Sequence, residues 1–381
     1  DYVERYRHRS GNHTTATKPL KIGYLSSCLR LHSVGWLVRW LLAHHDRHQY
    51  EIHLYSTRQS HDPLQQAFIN AYGENFHHLP NIATEIADQI DRDQIDILVE
   101  LDSITAFDTC VVSALKPAPV QVTWLGCDAS GIPAIDYYIA DPYVLPENAQ
   151  EYYRETIWRL PQTYIAVDGF EVGVPDLRRD QLNIPSDAIV YLSSQTGLKR
   201  NPDNVRLQLQ ILKQVPNSYF LIKSFNAEPE LLKAFFYQLA EEEGVSGDRL
   251  RFLPDFPDNA VYRANLGLAD VILDTYPYNG ATTTLEALWV GLPIVTRVGD
   301  QFAARNSYTM MMNVGVTEGI AWSDQEYLEW GVRLGEEEAL RRRISYQLRQ
   351  SRQSAPLWNG QQFAREMEKA YQQMWNIYQN G

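Results

Sequence analysis

A chain of 381 residues, 44% of them apolar, is long enough for two domains with real hydrophobic cores. A formal charge of −13 argues against a nucleic-acid partner, which needs a basic face, and against an anionic membrane surface. The three cysteines, Cys28, Cys110 and Cys127, show neither metal-ligand spacing nor a disulfide framework, which suits a reducing cytoplasm, and no apolar window reaches the length of a membrane span.

Residues 1–18 are polar rather than signal-like and read as a lead-in. From there short β-rich runs alternate with helical patterns. LKIGYLS, YEIHLYS, IDILVEL, VQVTWLG and DYYIAD are strand candidates, with amphipathic stretches near 34–45, 61–73 and 82–92. The stretch 161–188, rich in Pro, Gly and Asp, reads as a linker. The alternation restarts with AIVYLSS, SYFLIKS, RLRFLP, DVILDT and PIVTR, and helices are predicted near 203–214, 229–243, 258–268 and 282–290. The run Arg341-Arg342-Arg343 lies in a Glu-rich helical stretch and reads as a solvated face. A last helix, about 360–378, carries apolar residues at helical spacing and must dock on something.

Such alternation implies βαβ units and a parallel sheet, and two series imply an α/β chain of two doubly wound, Rossmann-like lobes. The expected partition is a lead-in over 1–18, an N-terminal lobe over 19–165, a linker over 166–185, a C-terminal lobe over 186–355 and a closing segment over 356–381 that docks back across the lobes. Ligands of open α/β sheets bind beyond the carboxyl ends of the strands, so those loops carry the chemistry. Neither lobe has G-x-G-x-x-G after a strand, which weakens a dinucleotide reading.

In SSQTGLKRNPD (193–203), Gln195 supplies donor and acceptor capacity and Lys199 a point charge, although a loop lysine is most often only a solvated charge. In LDTYPYNGATTTLEALWVGLPIVT (273–296) a helix begins at Thr282 with three threonines, which are mediocre helix formers. A helix amino end is a seat for phosphate, and the Thr hydroxyls add donors there. Glu286 lies one turn on, placed to accept from ribose hydroxyls or merely to complement the helix dipole. In the first lobe, His32 sits between the first strand and its helix, where it is either an exposed structural histidine or a general base. The glycine loop WLGCDASG (124–131), with Gly126, is a weaker candidate for close approach to a ligand.

Taken in order, KIGYLSSCLRLHS, LKPAPVQVTWLGCDASG, DYYIADP, the Q-x-x-x-K of Gln195 to Lys199, NGATTTLEALWVGLPIVT and SAPLWNGQQFAREMEKAYQQMW resemble the catalytic region of the O-linked N-acetylglucosamine transferase and SPINDLY-like family over about residues 19–378. The resemblance implies the GT-B architecture, two Rossmann-like lobes with an interlobe cleft. It also implies an inverting, metal-independent transfer of N-acetylglucosamine from UDP-N-acetylglucosamine to protein Ser/Thr hydroxyls. No cofactor or metal is expected, the UDP-sugar being a co-substrate, and relatives often carry upstream tetratricopeptide repeats that present the acceptor.

By position, the resemblance puts Lys199 on the diphosphate, Gln195 at the nucleotide or its phosphates, and Thr282 and Thr283 at the phosphates, next to Asn279 and Gly280. Glu286 falls where the family has an aspartate for the ribose, and Tyr262 where it has a histidine near uracil. His32 matches an acceptor-side histidine sometimes proposed as base, with Trp36, Asp102 and Gly126 on the same side and Asp102 an alternative base. Ala281 and Trp36 each stand where the family has histidine. Those departures keep two alternatives open: another donor or acceptor (UDP-glucose, Asn), or a UDP-binding scaffold with little activity.

Overall fold

Near-continuous apolar runs, buried on both faces, are what parallel strands covered by helices require, and most strands of this chain have that character. The computed structural model describes residues 19–223, 228–256 and 258–380; the lead-in expected over 1–18 lies outside the described residues. The chain divides into two units, one running to Val167 and resuming at Asn359, the other Asp168–Trp358.

The first unit runs β1 (Leu20–Ser26), α1 (Ser33–His44), β2 (Tyr50–Ser56), α2 (Pro63–Tyr72), β3 (Phe76–His78), α3 (Ala83–Arg92), β4 (Ile97–Glu100), α4 (Phe107–Leu115), β5 (Val120–Thr123), β6 (Tyr137–Ala140) and β7 (Thr156–Arg159). Its seven strands are all parallel, in the order β3-β2-β1-β4-β5-β6-β7. The chain winds outward from β1 to β3, then crosses to β4, so the order reverses between β1 and β4. Helix starts follow local chemistry: Asp62 caps α2 by accepting from the Leu64 and Gln65 amides, with Pro63 in the first turn.

The second unit runs β8 (Ile189–Ser194), α5 (Pro202–Gln214), β9 (Ser218–Lys223), α6 (Pro229–Glu243), β10 (Leu250–Phe252), α7 (Asn259–Asn265), β11 (Val271–Leu273), α8 (Thr282–Val290), β12 (Ile294–Arg297), α9 (Asn306–Asn313), β13 (Ile320–Ala321), α10 (Asp324–Glu336) and α11 (Glu338–Ser351). Its parallel sheet is ordered β10-β9-β8-β11-β12-β13, with the reversal between β8 and β11. The arginine run is taken up by its own surroundings: Arg341 donates to the Leu334 and Gly335 carbonyls, Arg342 pairs with Glu338, and Arg343 with Glu318.

The closing helix α12 (Gly360–Asn380) returns to the first unit and packs on α1 and beside β5. Its buried Glu368 accepts from the Asp46 amide at 2.8 Å and lies 3.0 Å from His45 Nδ1. Tyr24 continues the network to His45 Nε2 at 2.8 Å and to Tyr371 at 3.2 Å. Among the described residues, no helix is long and apolar enough to cross a membrane. The short β3, β7 and β13 and the helices α4, α9 and α10 are additions to the elements expected from sequence pattern.

Candidate functional site

In a doubly wound sheet the loops leaving the two strands at the reversal splay apart and open a crevice. In the second unit those strands are β8 and β11, and their loops carry Gln195 to Lys199 and Asp274 to Ala281. The β11 loop is pinned by the buried Asp274. Its Oδ1 accepts from the Gly280 amide at 2.8 Å and the Thr275 amide at 2.9 Å, and its Oδ2 from Thr296 Oγ1 at 2.8 Å. The Asn279 side chain donates to the Thr275 carbonyl at 2.7 Å.

That turn delivers the chain into α8 with Ala281 at the cap position, where no side chain occupies the first-turn amides. Those amides and the positive end of the helix are therefore available to an anion. Lys199 reaches the same place. Its Nζ donates to the Asn279 carbonyl at 2.7 Å and sits 3.8 Å from the centre of the Tyr278 ring. Gln195 Nε2 donates to Thr283 Oγ1 at 2.8 Å. Gly280 is required by these neighbours, since a Cβ there would lie 2.4 Å from Thr284 Oγ1, 2.7 Å from Gln195 Nε2 and 2.8 Å from Thr283 Oγ1.

The three threonines divide. Thr284 is buried and shares a 2.8 Å hydrogen bond with Ser307, so it serves the fold. Thr283 holds Gln195. The Thr282 hydroxyl is sealed from solvent without a hydrogen-bond partner, a cost of about 1–3 kcal/mol that a bound acceptor atom would relieve. One turn further, Glu286 is buried against Arg263, Nε to Oε1 at 2.9 Å, and Arg263 also donates to the Glu171 carbonyl at 2.7 Å. Burial outweighs that ion pair and raises the Glu286 carboxyl to about 7. Tyr262 is buried, with its hydroxyl 2.7 Å from Ser194 Oγ and its ring 5.9 Å from that of Phe256.

In the first unit the reversal lies between β1 and β4, and the predicted residues of that lobe collect at the carboxyl ends of its strands. His32 is the cap of α1: its Nδ1 accepts from the Val34 amide at 3.2 Å, which leaves the proton of the neutral ring on Nε2. The contact observed for His32 is thus the cap of α1. Partial burial and Arg30 lower its pKa. Asp102 is 2% exposed and both its oxygens are engaged, by Ser26 Oγ at 2.5 Å and the Ser27 amide at 2.6 Å, so it anchors the β1 loop. Gly126 answers to packing: a Cβ would lie 2.6 Å from Ser103 Cβ and 2.8 Å from the Asp102 carbonyl carbon. Trp36 meets Trp40 edge-on at 5.9 Å, and the Arg39 guanidinium lies 4.8 Å from its ring centre.

The family model of glycosyl transferase family 41 matches residues 3–177 and 172–367. The chain belongs to this family. It is 31% identical over 376 residues to the probable UDP-N-acetylglucosamine–peptide N-acetylglucosaminyltransferase SPINDLY of Solanum lycopersicum, matching 97% of this chain and 40% of that protein. It is 31% identical over 370 residues to the SPINDLY protein of Arabidopsis thaliana, again over 40% of its length. The chain thus spans about two fifths of the curated relatives it matches. It is also similar to a mutant O-GlcNAc transferase of Thermobaculum terrenum, with a TM-score of 0.88 at 29% identity, covering 96% of this chain and 69% of that one.

Three groups at this family 41 site escape a reading of the sequence alone. Arg263 precedes its partner by 23 residues, and a helical arginine carries no local sign of burial. Asp274 directly follows β11 and looks like any turn acid. Arg200 is buried, binding the Ser193 carbonyl at 3.1 Å and the Lys223 carbonyl at 2.7 Å, and burial pushes its pKa down to about 9. It ties the carboxyl ends of β8 and β9 together beside Gln195.

Proposed function

We propose that this family 41 glycosyltransferase is an inverting enzyme that moves N-acetylglucosamine from UDP-N-acetylglucosamine to Ser or Thr hydroxyls of proteins. The observation that carries the reading is Lys199 held against the Asn279 carbonyl at the uncapped amino end of α8. In this reading the diphosphate lies on the α8 amides, with the Thr282 and Thr283 hydroxyls around it and Gln195 steadying Thr283. Glu286, kept in place by Arg263, accepts from the ribose hydroxyls, and Tyr262 lies on the uracil side.

The acceptor oxygen attacks the anomeric carbon from the face opposite UDP. The bond from that carbon to the phosphate oxygen breaks, its electron pair leaves with UDP, and the hydroxyl proton passes to water. Lys199 and the amides meet the charge that builds on the leaving diphosphate, so the proposal needs no metal for this step. The names of the SPINDLY relatives and of the Thermobaculum protein support the donor sugar and the peptide acceptor. Upstream tetratricopeptide repeats would present the acceptor, and a cytoplasmic location is supported by three free cysteines.

The test is release of UDP from UDP-N-acetylglucosamine with peptide acceptors. Lys199→Ala should lower the rate at least about 100-fold, roughly 3 kcal/mol of barrier; equal rates for wild type and variant would sink the reading. Ala281, which offers no polar side chain at the cap of α8, favours one second reading, a different donor. Calorimetric competition decides it: tighter binding of UDP-glucose than of UDP-N-acetylglucosamine would replace the donor named here.

A further inference from the structure

Three rings of the first unit share one face of its sheet. Tyr55 and His77 are register partners on β2 and β3, and His53 lies two residues before Tyr55. Their planes are nearly parallel, His53 to His77 at 5.9 Å and 5°, and Tyr55 to His77 at 5.0 Å and 11°. Asp93, at the end of α3, points its carboxylate at them and is fixed by Tyr55 Oη at 2.7 Å and Gln89 Nε2 at 2.9 Å.

His53 is only 5% exposed, and its Nε2 lies 2.8 Å from Glu51 Oε1. A carboxylate only accepts, so Nε2 carries the proton and the neutral ring keeps its lone pair on Nδ1. That lone pair faces Asp93 Oδ2 at 3.9 Å and makes no hydrogen bond. His77 Nε2, 3.1 Å from the same oxygen, is likewise buried and makes none. Two ring nitrogens aimed without hydrogen bonds at one anionic oxygen call for a cation among them.

We propose that His53 Nδ1, His77 Nε2 and Asp93 Oδ2 form a site for a divalent first-row transition metal ion of the zinc class. The three donor atoms lie within 4.8 Å of one another. Ligands about 2.0–2.1 Å from a tetrahedral ion stand about 3.4 Å apart, between the 3.1 and 3.9 Å seen here. Imidazole with carboxylate suits zinc rather than magnesium or calcium. Glu51 behind His53 is the partner that orients a ligating imidazole. The His77 and Asp93 side chains keep 18% and 16% exposure, which leaves an entry path and a fourth position for water. The ion would tie β2 and β3 to the end of α3, apart from the Lys199 chemistry.

The full chain, stripped with chelator, is dialysed against zinc and the bound metal counted; cobalt substitution reports the ligands. One ion per chain, a melting temperature several degrees higher with zinc, and loss of both in His77→Gln and Asp93→Asn are the expected results. Those variants should melt with stripped wild type when chelator is present. Should they not fold, the wild-type cobalt spectrum decides alone, since low-coordinate nitrogen–oxygen ligation without thiolate bands is required. Thiolate bands, fewer than one ion per chain, or undiminished binding in both folded variants would overturn the proposal. Unchanged UDP release in chelator keeps this test separate from that of the transfer reaction.

Discussion

Glu286 shows how burial and an ion pair compete at one residue. Desolvation raises its carboxyl from 4.5 to about 7 although Arg263 pulls the other way. A group whose folded pKa is raised stabilises the fold below its unfolded pKa and loses that contribution as pH rises through the folded value. Urea titrations of the ligand-free protein should therefore show a fall in stability between about pH 4.5 and pH 7 that Glu286→Gln reduces. Nucleotide binding should run the other way. The ribose needs the ionised carboxylate, so UDP affinity should rise through pH 7 in wild type and stay flat in the variant, as read by calorimetry. Thr282 offers a sharper separation of fold from ligand. Its hydroxyl has no partner, so Thr282→Val should leave the melting temperature level or higher while UDP binds several-fold more weakly; unchanged UDP affinity would remove Thr282 from the site.

At the level of elements, the amino end of α8 depends on the turn that feeds it. Gly280 is hemmed in by Thr284, Thr283 and Gln195, so Gly280→Ala should cost about 1–3 kcal/mol through overpacking and should abolish UDP binding by displacing the first turn. Gly267→Ala is the control, because its Cβ would meet nothing within 4 Å; thermal melts of the two should differ by several degrees. The start of α8 at Thr282 was legible in sequence because Asn279-Gly280 breaks the chain and an apolar pattern resumes after it. The strands β3 and β13, of three and two residues, were not. So few residues carry no period, and pairing with β2 and β12 alone makes them strands.

For the molecule as a whole, the consequential feature is that residues from Asn359 onward belong with the first unit after the chain has built the second. Glu368 carries that return, buried against His45 and the Asp46 amide. Burial lowers the His45 pKa despite Glu368, which favours the neutral ring at neutral pH. Glu368→Ala should cost the first unit about 1–3 kcal/mol, since it leaves the His45 ring and the Asp46 amide without their acceptor. Hydrogen exchange would locate the loss: protection should fall across β1, α1 and α12 and persist in the second unit, and a uniform fall would contradict it.

The α/β class, the two series of strands and the candidate loops after the strands were determined by the sequence itself, because hydrophobic period and turn residues are local properties. So were the residues Gln195, Lys199, Thr282, Thr283 and Glu286 as candidates, since strand-end position and residue type suffice to nominate them. Strand order was decided only by the tertiary structure, and with it the fact that the β8 and β11 loops flank the reversal. The same holds for Arg263 on Glu286, for the engagement of His32 and Asp102 in capping and anchoring, and for the meeting of His53, His77 and Asp93. Each depends on which distant segments pack together and on how far they exclude water, and neither is written in a local pattern.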